Sequence, residues 1–110
     1  MPMPISIIIP TLNEEKTIKK SLKALQLLRL YGAEVIVSDG GSSDNTKAEC
    51  GNLVDRWVDS AKGRAAQMNS GAEAARYNAM LFLHADTVLP NNSVNLLKVF
   101  IESTSIWGRF

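Results

Sequence analysis

The fold is decided by the stretch ISIIIPTLNE, residues 5–14. Its first half is a run of isoleucines broken only by Ser6, and a nearly continuous β-branched run is typical of a strand buried on both faces. Its second half turns polar, and Asn13 followed by Glu14 is predicted to cap and begin a helix. A buried strand that leads directly into a helix is the start of a β-α-β unit.

The rest of the chain continues this alternation of strand and helix. The first helix carries an apolar stripe at helical spacing and is expected to stop at Gly32. The predicted strands are 5–9, 34–38, 53–58 (an edge strand) and 79–83. The predicted helices are one that buries Ile18, Leu22, Leu25 and Leu28, a short one capped by Ser43 or Asp44 and ending near Gly51, an Ala-rich one at 63–76, and a last one from Pro90 that buries Val94, Leu97 and Ile101.

Four such alternations predict an α/β fold, with a mostly parallel sheet and helices on both faces. In folds of this kind ligands bind at the carboxyl ends of the strands. Polar clusters follow three of the predicted strands, at residues 11–14, 39–44 and 84–87. The sequence therefore predicts a binding site at this edge of the sheet.

Length and composition narrow the class of protein. With 110 residues, 45% of them hydrophobic and 21% charged, the chain reads as one globular domain, 1–110. Its 12 Lys and Arg against 11 Asp and Glu give a formal charge of +1, which argues against binding to nucleic acid. A single cysteine, Cys50, and the lack of a long apolar run or a basic leader predict a cytoplasmic protein with no transmembrane segment.

Several common site motifs are missing from the sequence. It contains no P-loop motif and no G-x-G-x-x-G after the first strand, and one His and one Cys are too few for a zinc site. Phospho-receiver domains carry paired acids where this chain has Pro10 and Thr11. A triad of Ser42, His84 and Asp86 would lack a nucleophile elbow. The strand-end clusters therefore match none of these motifs, and their carboxylates have to be considered individually.

Asp39 and Asp86 are the two carboxylates in question, and each has two interpretations. Asp39 either caps the turn at Gly40 and Gly41 or accepts hydrogen bonds from a base or a ribose. Asp86 either caps the next turn or holds a divalent cation that bridges two phosphates. Taken together on neighbouring strands, they suggest a nucleotide held at one end and a metal-bound pyrophosphate at the other.

Four ordered motifs resemble those of family 2 glycosyltransferases with the GT-A fold. They are IIIPTLNEE at 7–15, VIVSDGGSSDNT at 35–46, GRAAQMNSGA at 63–72 and LFLHADT at 81–87. The last two are similar to the bacterial subgroup of radical-SAM/selenodomain-associated transferases. The resemblance covers essentially all 110 residues. It implies a Rossmann-like nucleotide-diphospho-sugar transferase fold and the transfer of a sugar, commonly from a UDP-linked donor, to an acceptor that is not specified.

The resemblance also implies which residues hold the donor. Pro10, Thr11 and Glu14 would surround the base and ribose, Asp39 would read the base, and Arg64 would lie near the phosphates. Asp86 matches the last acid of the D-x-D motif, which binds Mn²⁺ or Mg²⁺. For Asn69 and Gly71, donor contact and helix packing are equally open. The implied nucleotide-sugar-binding set is Pro10, Thr11, Asn13, Glu14, Asp39, Arg64, His84 and Asp86, with Asp86 as the metal ligand.

Two departures from the family pattern bear on activity. His84 stands where the first acid of D-x-D would be, and its imidazole could bind ribose or metal or make a structural hydrogen bond. An inverting transferase also needs a carboxylate base. After Asp86 the only acid is Glu102, which is predicted to face solvent on the last helix. The base is therefore expected beyond Phe110.

The chain is accordingly expected to be the donor-binding portion of an inverting, metal-assisted enzyme, truncated after the fourth strand and its helix, without the acceptor-binding part. A truncated sheet would expose apolar surface, so homo-oligomers are a further expectation. The alternative is a nucleotide-binding domain or fragment without transferase activity. A nucleotidyltransferase is disfavoured, because its Gly-rich basic loop is replaced here by residues 10–14.

Overall fold

A computed structural model describes residues 4–85, which form one four-stranded sheet with four helices. All strand pairings are parallel, and the strand order is β3-β2-β1-β4. This confirms the predicted α/β class and parallel sheet, with β3 at an edge of the described sheet. The elements are β1 (Ile5–Thr11), α1 (Ile18–Ala24), α2 (Gln26–Leu30), β2 (Glu34–Asp39), α3 (Thr46–Cys50), β3 (Arg56–Asp59), α4 (Arg64–Ala74) and β4 (Ala79–Phe82).

The central position of β1 follows from its apolar sequence. It pairs with β2 from Ser6↔Glu34 to Thr11↔Asp39, and with β4 on its other side. Every isoleucine of β1 is at most 2% exposed. Burying a side chain of this size contributes about 1.5–3 kcal/mol relative to leaving it in water, so β1 anchors the whole sheet.

The side chains of β1 alternate between two separate cores. Its odd-numbered isoleucines pack with the apolar stripe of α1 and α2 and with Cys50 of α3. Ile8 points to the other face, where it clusters with Ile36 and Met80 beneath Ala72 of α4. The prediction of helices on both faces is therefore confirmed.

Gly71 explains how α4 reaches the sheet so closely. A Cβ placed on Gly71 would lie 2.5 Å from Cγ2 of Ile8, closer than a side chain can approach. Of the alanines in α4 and just after it, Ala72 and Ala75 contact the core, but Ala65 is exposed. The structure thus gives Gly71 a packing role, whereas Asn69 is exposed.

The first predicted helix is divided at Leu25 into α1 and α2. At this residue the backbone N–H of Leu25 donates to the carbonyl of Leu22, three residues back, at 3.0 Å. The side-chain amide of Gln26 donates to the same carbonyl at 2.8 Å and to the carbonyl of Leu53 at 2.9 Å. The break keeps the apolar stripe buried, and α2 is followed by Gly32 at φ 104° as expected.

The N-caps predicted for the first helix and for the short helix that became α3 were wrong. Asn13 is in the left-handed region at φ 53°, and α1 begins after Thr17 because a turn held by the Glu14 carbonyl precedes it. Asn45, rather than Ser43 or Asp44, occupies the N-cap position of α3. Asp44 still contributes there, since its carboxylate accepts from the backbone N–H of Thr46 at 3.0 Å.

Element bounds differ by a few residues from the predicted ones. β1 and β2 run on into their polar clusters and end at Thr11 and Asp39. β3 starts three residues later than predicted, at Arg56, because the carboxylate of Asp55 instead accepts the N–H of Val35 at 2.7 Å. The last predicted helix with Pro90, Val94, Leu97, Ile101 and Glu102, and the site residue Asp86, lie outside the described residues.

Candidate functional site

The carboxyl ends of β1 and β2 are joined by a buried pair of polar side chains. Thr11 and Asp39 are register partners, and the Thr11 hydroxyl donates to Oδ1 of Asp39 at 2.7 Å. Thr11 is 1% and Asp39 4% exposed. An unpaired carboxylate at such depth would be costly, so its remaining hydrogen bonds decide what it does.

Those remaining hydrogen bonds come from the Gly-rich turn that follows β2. Oδ2 of Asp39 accepts the backbone N–H groups of Gly41 at 3.0 Å and of Ser42 at 2.7 Å, and the Ser42 hydroxyl donates to Oδ1. Burial raises the pKa of Asp39, but the hydrogen bonds from Ser42, Thr11 and Gly41 outweigh it, and the pKa is lowered below 3.8. Asp39 therefore caps its own turn and stays ionised.

The two loops at this edge are tied to each other through Asn13. Its backbone N–H donates to the Ser42 hydroxyl at 2.8 Å, and its side-chain oxygen accepts the N–H of Ser43 at 2.8 Å. Next to it, the backbone N–H of Glu14 donates to the hydroxyl of Thr46 at 2.8 Å. This reciprocal bonding accounts for the left-handed backbone at Asn13, a residue type that tolerates it.

Gln67 of α4 lies beneath these loops and is 5% exposed. Its side-chain amide donates to the backbone carbonyl of Thr11 at 2.7 Å and to that of Ser38 at 3.1 Å. Its side-chain oxygen accepts the N–H of Gly63 at 3.2 Å. One side chain thus joins the ends of β1 and β2 to the residue that precedes α4.

A cleft of about 180 Å³ opens at the same edge, between β1, β4 and the first turn of α4. Arg64 and His84 both line it and are in contact, with Nη2 of Arg64 3.1 Å from Nε2 of His84. Both residues are exposed. The cleft is lined by Pro10, Thr11, Leu12, Arg64, Gln67, Met68, Phe82, Leu83 and His84.

The structure brings some of the predicted site residues together and separates others. Four of them, Pro10, Thr11, Arg64 and His84, share the cleft, and Asp39 lies directly behind Thr11. Asn13 and Glu14 instead line a neighbouring groove of about 430 Å³ with Asp44. Asp86 lies outside the described residues, so its predicted metal role remains a prediction.

A divalent cation has no ready-made site in the part of the chain that the structure describes. No group of three His, Cys, Asp or Glu side chains converges within residues 4–85. Nε2 of His84 is in contact with the Arg64 guanidinium, a cation that competes with a metal at that atom. The described residues alone therefore do not fit a bound cation.

Two residues of this site, Gln67 and Ser42, were not predicted from the sequence. Gln67 lies inside one of the quoted motifs, but the Ala-rich composition of its helix does not show that its amide is buried against the strand ends. Ser42 was considered only for a catalytic triad, and the structure places its hydroxyl between Asn13 and Asp39. A polar residue on the sheet-facing side of a helix was the one signal that could have identified Gln67.

The opposite, amino-terminal edge of the sheet carries a second buried carboxylate. Glu34 accepts from the Ser6 hydroxyl at 2.8 Å, from Nε of Arg56 at 3.0 Å and from the backbone N–H of Arg76 at 2.8 Å. The Ser6 hydroxyl in turn accepts the N–H of Tyr77 at 3.2 Å. Here an arginine neutralises the carboxylate, which is the usual arrangement for a structural ion pair.

The described residues contain no helix long and apolar enough to cross a membrane.

Sequence comparison finds related proteins that act on sugars. The sequence model of Glycosyl transferase family 2 matches residues 6–105. A poly-beta-1,6-N-acetyl-D-glucosamine synthase of Staphylococcus epidermidis is 31% identical over 97 residues, 81% of this chain and 23% of that protein. A GalNAc(5)-diNAcBac-PP-undecaprenol beta-1,3-glucosyltransferase of Campylobacter jejuni is 41% identical over 49 residues, 44% of this chain and 16% of that protein. The chain therefore spans less than a quarter of the length of either relative.

Solved structures of similar fold include enzymes with bound nucleotides. Glucosyl-3-phosphoglycerate synthase from Mycobacterium tuberculosis, in complex with Mn²⁺, UDP-glucose and phosphoglyceric acid, superposes with a TM-score of 0.69 at 26% identity, over 78% of this chain and 34% of that one. Staphylococcus aureus TarS 1–349 superposes with a TM-score of 0.74 at 24% identity, over 92% of this chain and 33% of that one. These likenesses confirm the expected Rossmann-like GT-A fold. They do not bear on the radical-SAM subgroup, which stays a prediction.

Proposed function

Because the chain belongs to glycosyl transferase family 2, we propose that it binds a nucleotide-diphosphate sugar at the carboxyl edge of its sheet and takes part in inverting sugar transfer. We propose UDP as the nucleoside diphosphate, since a structural neighbour was solved with Mn²⁺ and UDP-glucose. The acceptor is left open.

One observation carries the proposal: the exposed Arg64 and the capped Asp39 lie at one edge of the sheet, on either side of Thr11 and Gln67. Arginine suits a diphosphate, because its guanidinium makes two parallel hydrogen bonds to phosphate oxygens. A carboxylate that is held ionised suits the N–H of a uracil ring or a ribose hydroxyl. The diphosphate of UDP would thus meet Arg64 in the cleft, and the nucleoside would lie toward Asp39, behind Thr11.

The role proposed for Asp39 has to account for its four hydrogen bonds. Three of its donors, Thr11 and the N–H groups of Gly41 and Ser42, are fixed by the strand and turn. The Ser42 hydroxyl is the exchangeable one, because its O–H can rotate away while its oxygen still accepts from Asn13. A base N–H would take its place on Asp39. Asp39 would then shape the loop and read the base at once.

The remaining proposed donor residues surround these two. Pro10 would pack against the base, His84 would contact the donor beside Arg64, and Asn13 and Glu14 would border the nucleoside from the neighbouring groove. A divalent cation, for which we propose Asp86 as ligand, would offset the charge that develops on the leaving diphosphate. In the transfer, the acceptor oxygen forms the new bond to the anomeric carbon while the bond to the diphosphate oxygen breaks. A carboxylate base, proposed to lie beyond Phe110, takes the acceptor's proton.

Isothermal titration with UDP tests the binding half of this proposal. We expect Arg64→Met to weaken UDP binding about tenfold or more, the cost of one or two charge-assisted hydrogen bonds. Arg76→Met is the matched control, because Arg76 is equally exposed but lies at the amino edge, its guanidinium 5.8 Å from the Tyr77 ring centre. Absence of UDP binding to the unchanged chain, or equal losses in both variants, would contradict the proposed site.

A nucleotide-binding role without transfer is the second candidate, and one observation favours it. None of the residues that line the cleft carries a carboxylate, so the lining offers no carboxylate base. Release of UDP from UDP-glucose, followed over time, separates the two functions. Binding of the donor with no release in the presence of Mn²⁺ would favour the non-catalytic role.

A further inference from the structure

Gln67 connects three backbone segments at the cleft through its side chain alone. Its amide donates to Thr11 and Ser38 at the ends of two strands, and its oxygen accepts from Gly63 just before α4. All three partners are backbone groups, so the contacts would persist whatever side chains stood there. Both ends of the Gln67 amide are thus engaged.

The carbonyl of Thr11 links Gln67 to the Gly-rich loop at residues 39–44, the Asp39 loop. It also accepts the backbone N–H of Gly40, at 2.9 Å, so Gln67 and Gly40 meet at one oxygen. A Cβ added at Gly40 would lie 2.7 Å from Oε1 of Gln67, which shows how tightly the loop rests on this side chain. The position of the loop and that of Gln67 are therefore linked.

The side-chain oxygen of Gln67 contacts Gly63, the residue just before Arg64. Gly63 has φ 133°, and α4 begins at the next residue, Arg64. The Gly63 N–H bond to Gln67 closes the first turn of α4 onto a side chain that is itself fixed to the sheet. Arg64, the next residue, contacts His84 at the cleft. Gln67 thus lies between the Asp39 loop and the residue that precedes Arg64.

We propose that Gln67 is a positioning residue for the donor, which holds the diphosphate-binding Arg64 at a fixed distance from the nucleoside-binding loop. It acts through backbone contacts with both parts. This inference rests on the proposed function, since it assumes that UDP spans the cleft. It adds a specific expectation: disturbing Gln67 should harm the binding of UDP more than the binding of uridine, which lacks the diphosphate.

Gln26 offers a matched control inside the same chain. Its amide also donates to two backbone carbonyls, those of Leu22 and Leu53, and its oxygen accepts from Nη1 of Arg29 at 2.7 Å. It lies in α2, among residues that do not line the cleft. Gln26 and Gln67 are therefore similar in chemistry and differ in location.

The experiment compares Gln67→Glu with Gln26→Glu by thermal unfolding and by titration with UDP and with uridine. Both substitutions replace amide donors with carboxylate oxygens, so both should lower the melting temperature. Only Gln67→Glu should lower the ratio of UDP affinity to uridine affinity, by about tenfold. The ratio should then approach the one measured for Arg64→Met. Combining Gln67→Glu with Arg64→Met should add little further loss, because the first acts through the second.

The pH dependence of UDP affinity in Gln67→Glu distinguishes a positioning role from a purely structural one. Lowering the pH from about 8 to about 5 favours protonation of the buried carboxyl in Gln67→Glu, which restores one donor. UDP affinity relative to the unchanged chain at the same pH should then partly recover. If Gln67→Glu fails to fold, Gln67→Met, which keeps the length without the charge, serves for the affinity ratio.

The outcomes separate this inference from the proposed function. If the unchanged chain binds UDP while Gln67→Glu and Gln67→Met keep its UDP-to-uridine ratio, the inference is wrong and the proposed function stands. Additive losses in the double variant would also overturn it. If the unchanged chain does not bind UDP, the proposed function fails and the inference fails with it.

Discussion

Two carboxylates lie at opposite ends of β2, Glu34 in a structural ion pair and Asp39 in the candidate functional site. Each pairs with a hydroxyl at the register position on β1: Ser6 with Glu34 at the amino edge and Thr11 with Asp39 at the carboxyl edge. Both are at least nine-tenths buried. Up to this point the two ends of the strand pair are alike.

The difference lies in what balances the charge. Glu34 meets the Arg56 guanidinium at 3.0 Å, so its charge is paired within the protein. Among residues 4–85 the partners of Asp39 are neutral: two hydroxyls and two backbone N–H groups. A carboxylate held ionised by neutral donors still attracts a polar ligand, whereas a paired one does not. The absence of a paired cation among the described residues, more than burial, therefore distinguishes Asp39 from Glu34.

The largest expected effect comes from removing each charge in turn. Asp39→Asn turns an amide N–H₂ toward N–H donors, and should cost about 3 kcal/mol of unfolding free energy and weaken UDP binding about a hundredfold. Glu34→Gln should cost about 2 kcal/mol and leave UDP affinity within about twofold. Urea unfolding and calorimetric titration measure both quantities. Equal losses of UDP affinity in Asp39→Asn and Glu34→Gln would contradict a binding role for Asp39 alone.

A second test separates the packing of α4 from its role at the cleft. Gly71→Ala pushes a methyl group into Ile8 and should destabilise the fold by about 2 kcal/mol while leaving the relative affinities for UDP and uridine unchanged. Gly40→Ala places its methyl group against Gln67 and should lower UDP affinity more than uridine affinity. Urea unfolding and the two titrations distinguish them. The reverse pattern would mean that α4 acts on the cleft through the core.

A smaller effect is expected from the arginine at the amino edge. Arg56→Met leaves Glu34 without its cation, but the Arg56 side chain is 54% exposed, so water can take over part of its role. We expect a loss of about 1 kcal/mol in unfolding free energy. UDP affinity should not change. A measurable loss of UDP binding in this variant would show that the two ends are coupled through β2.

The smallest effect is the pH dependence contributed by Asp39. Because the pKa of Asp39 is lowered in the folded chain, Asp39 stabilises the fold at pH values above 3.8, and this stability is lost as the pH falls through the folded pKa. Asp39→Asn should therefore show a shallower loss of stability in acid than the unchanged chain. The pKa of Asp44 is lowered too, because desolvation is outweighed by hydrogen bonds from Thr46 and the N–H of Glu15, so Asp44→Asn should also lose stability less steeply in acid. If the unfolding free energy falls equally steeply with pH below 3.8 in Asp39→Asn and in the unchanged chain, the assigned hydrogen bonds are contradicted.

The fold was predictable because its signals are periodic and strong. The isoleucines of β1 and the valines of β2 could only be buried strands, and their polar ends had to meet at one edge. The caps were not predictable in the same way. Asn13 has the right chemistry for an N-cap, but a partner loop about 30 residues away uses it instead. Local propensity cannot register such a long-range contact.

The candidate site was predictable only in its location. Strand ends placed Thr11, Asp39 and His84 at one edge, and the structure agrees. The four hydrogen bonds of Asp39 depend on turn geometry, and the buried amide of Gln67 depends on how α4 sits on the sheet. Both are tertiary features that a sequence does not display. The roles of the site residues in donor binding remain predictions.

The backbone amide signals of the ¹⁵N-labelled chain, followed by NMR while UDP is added, show directly whether UDP binds at the carboxyl edge of the sheet. We expect shifts at Gly41 and Ser42, whose N–H groups bind Asp39, and at the first turn of α4 around Arg64 and Gln67. We expect no shift at Tyr77 and Arg76, whose N–H groups serve the Ser6–Glu34 pair. Shifts confined to the amino edge, or none at any UDP concentration, would contradict binding at the carboxyl edge.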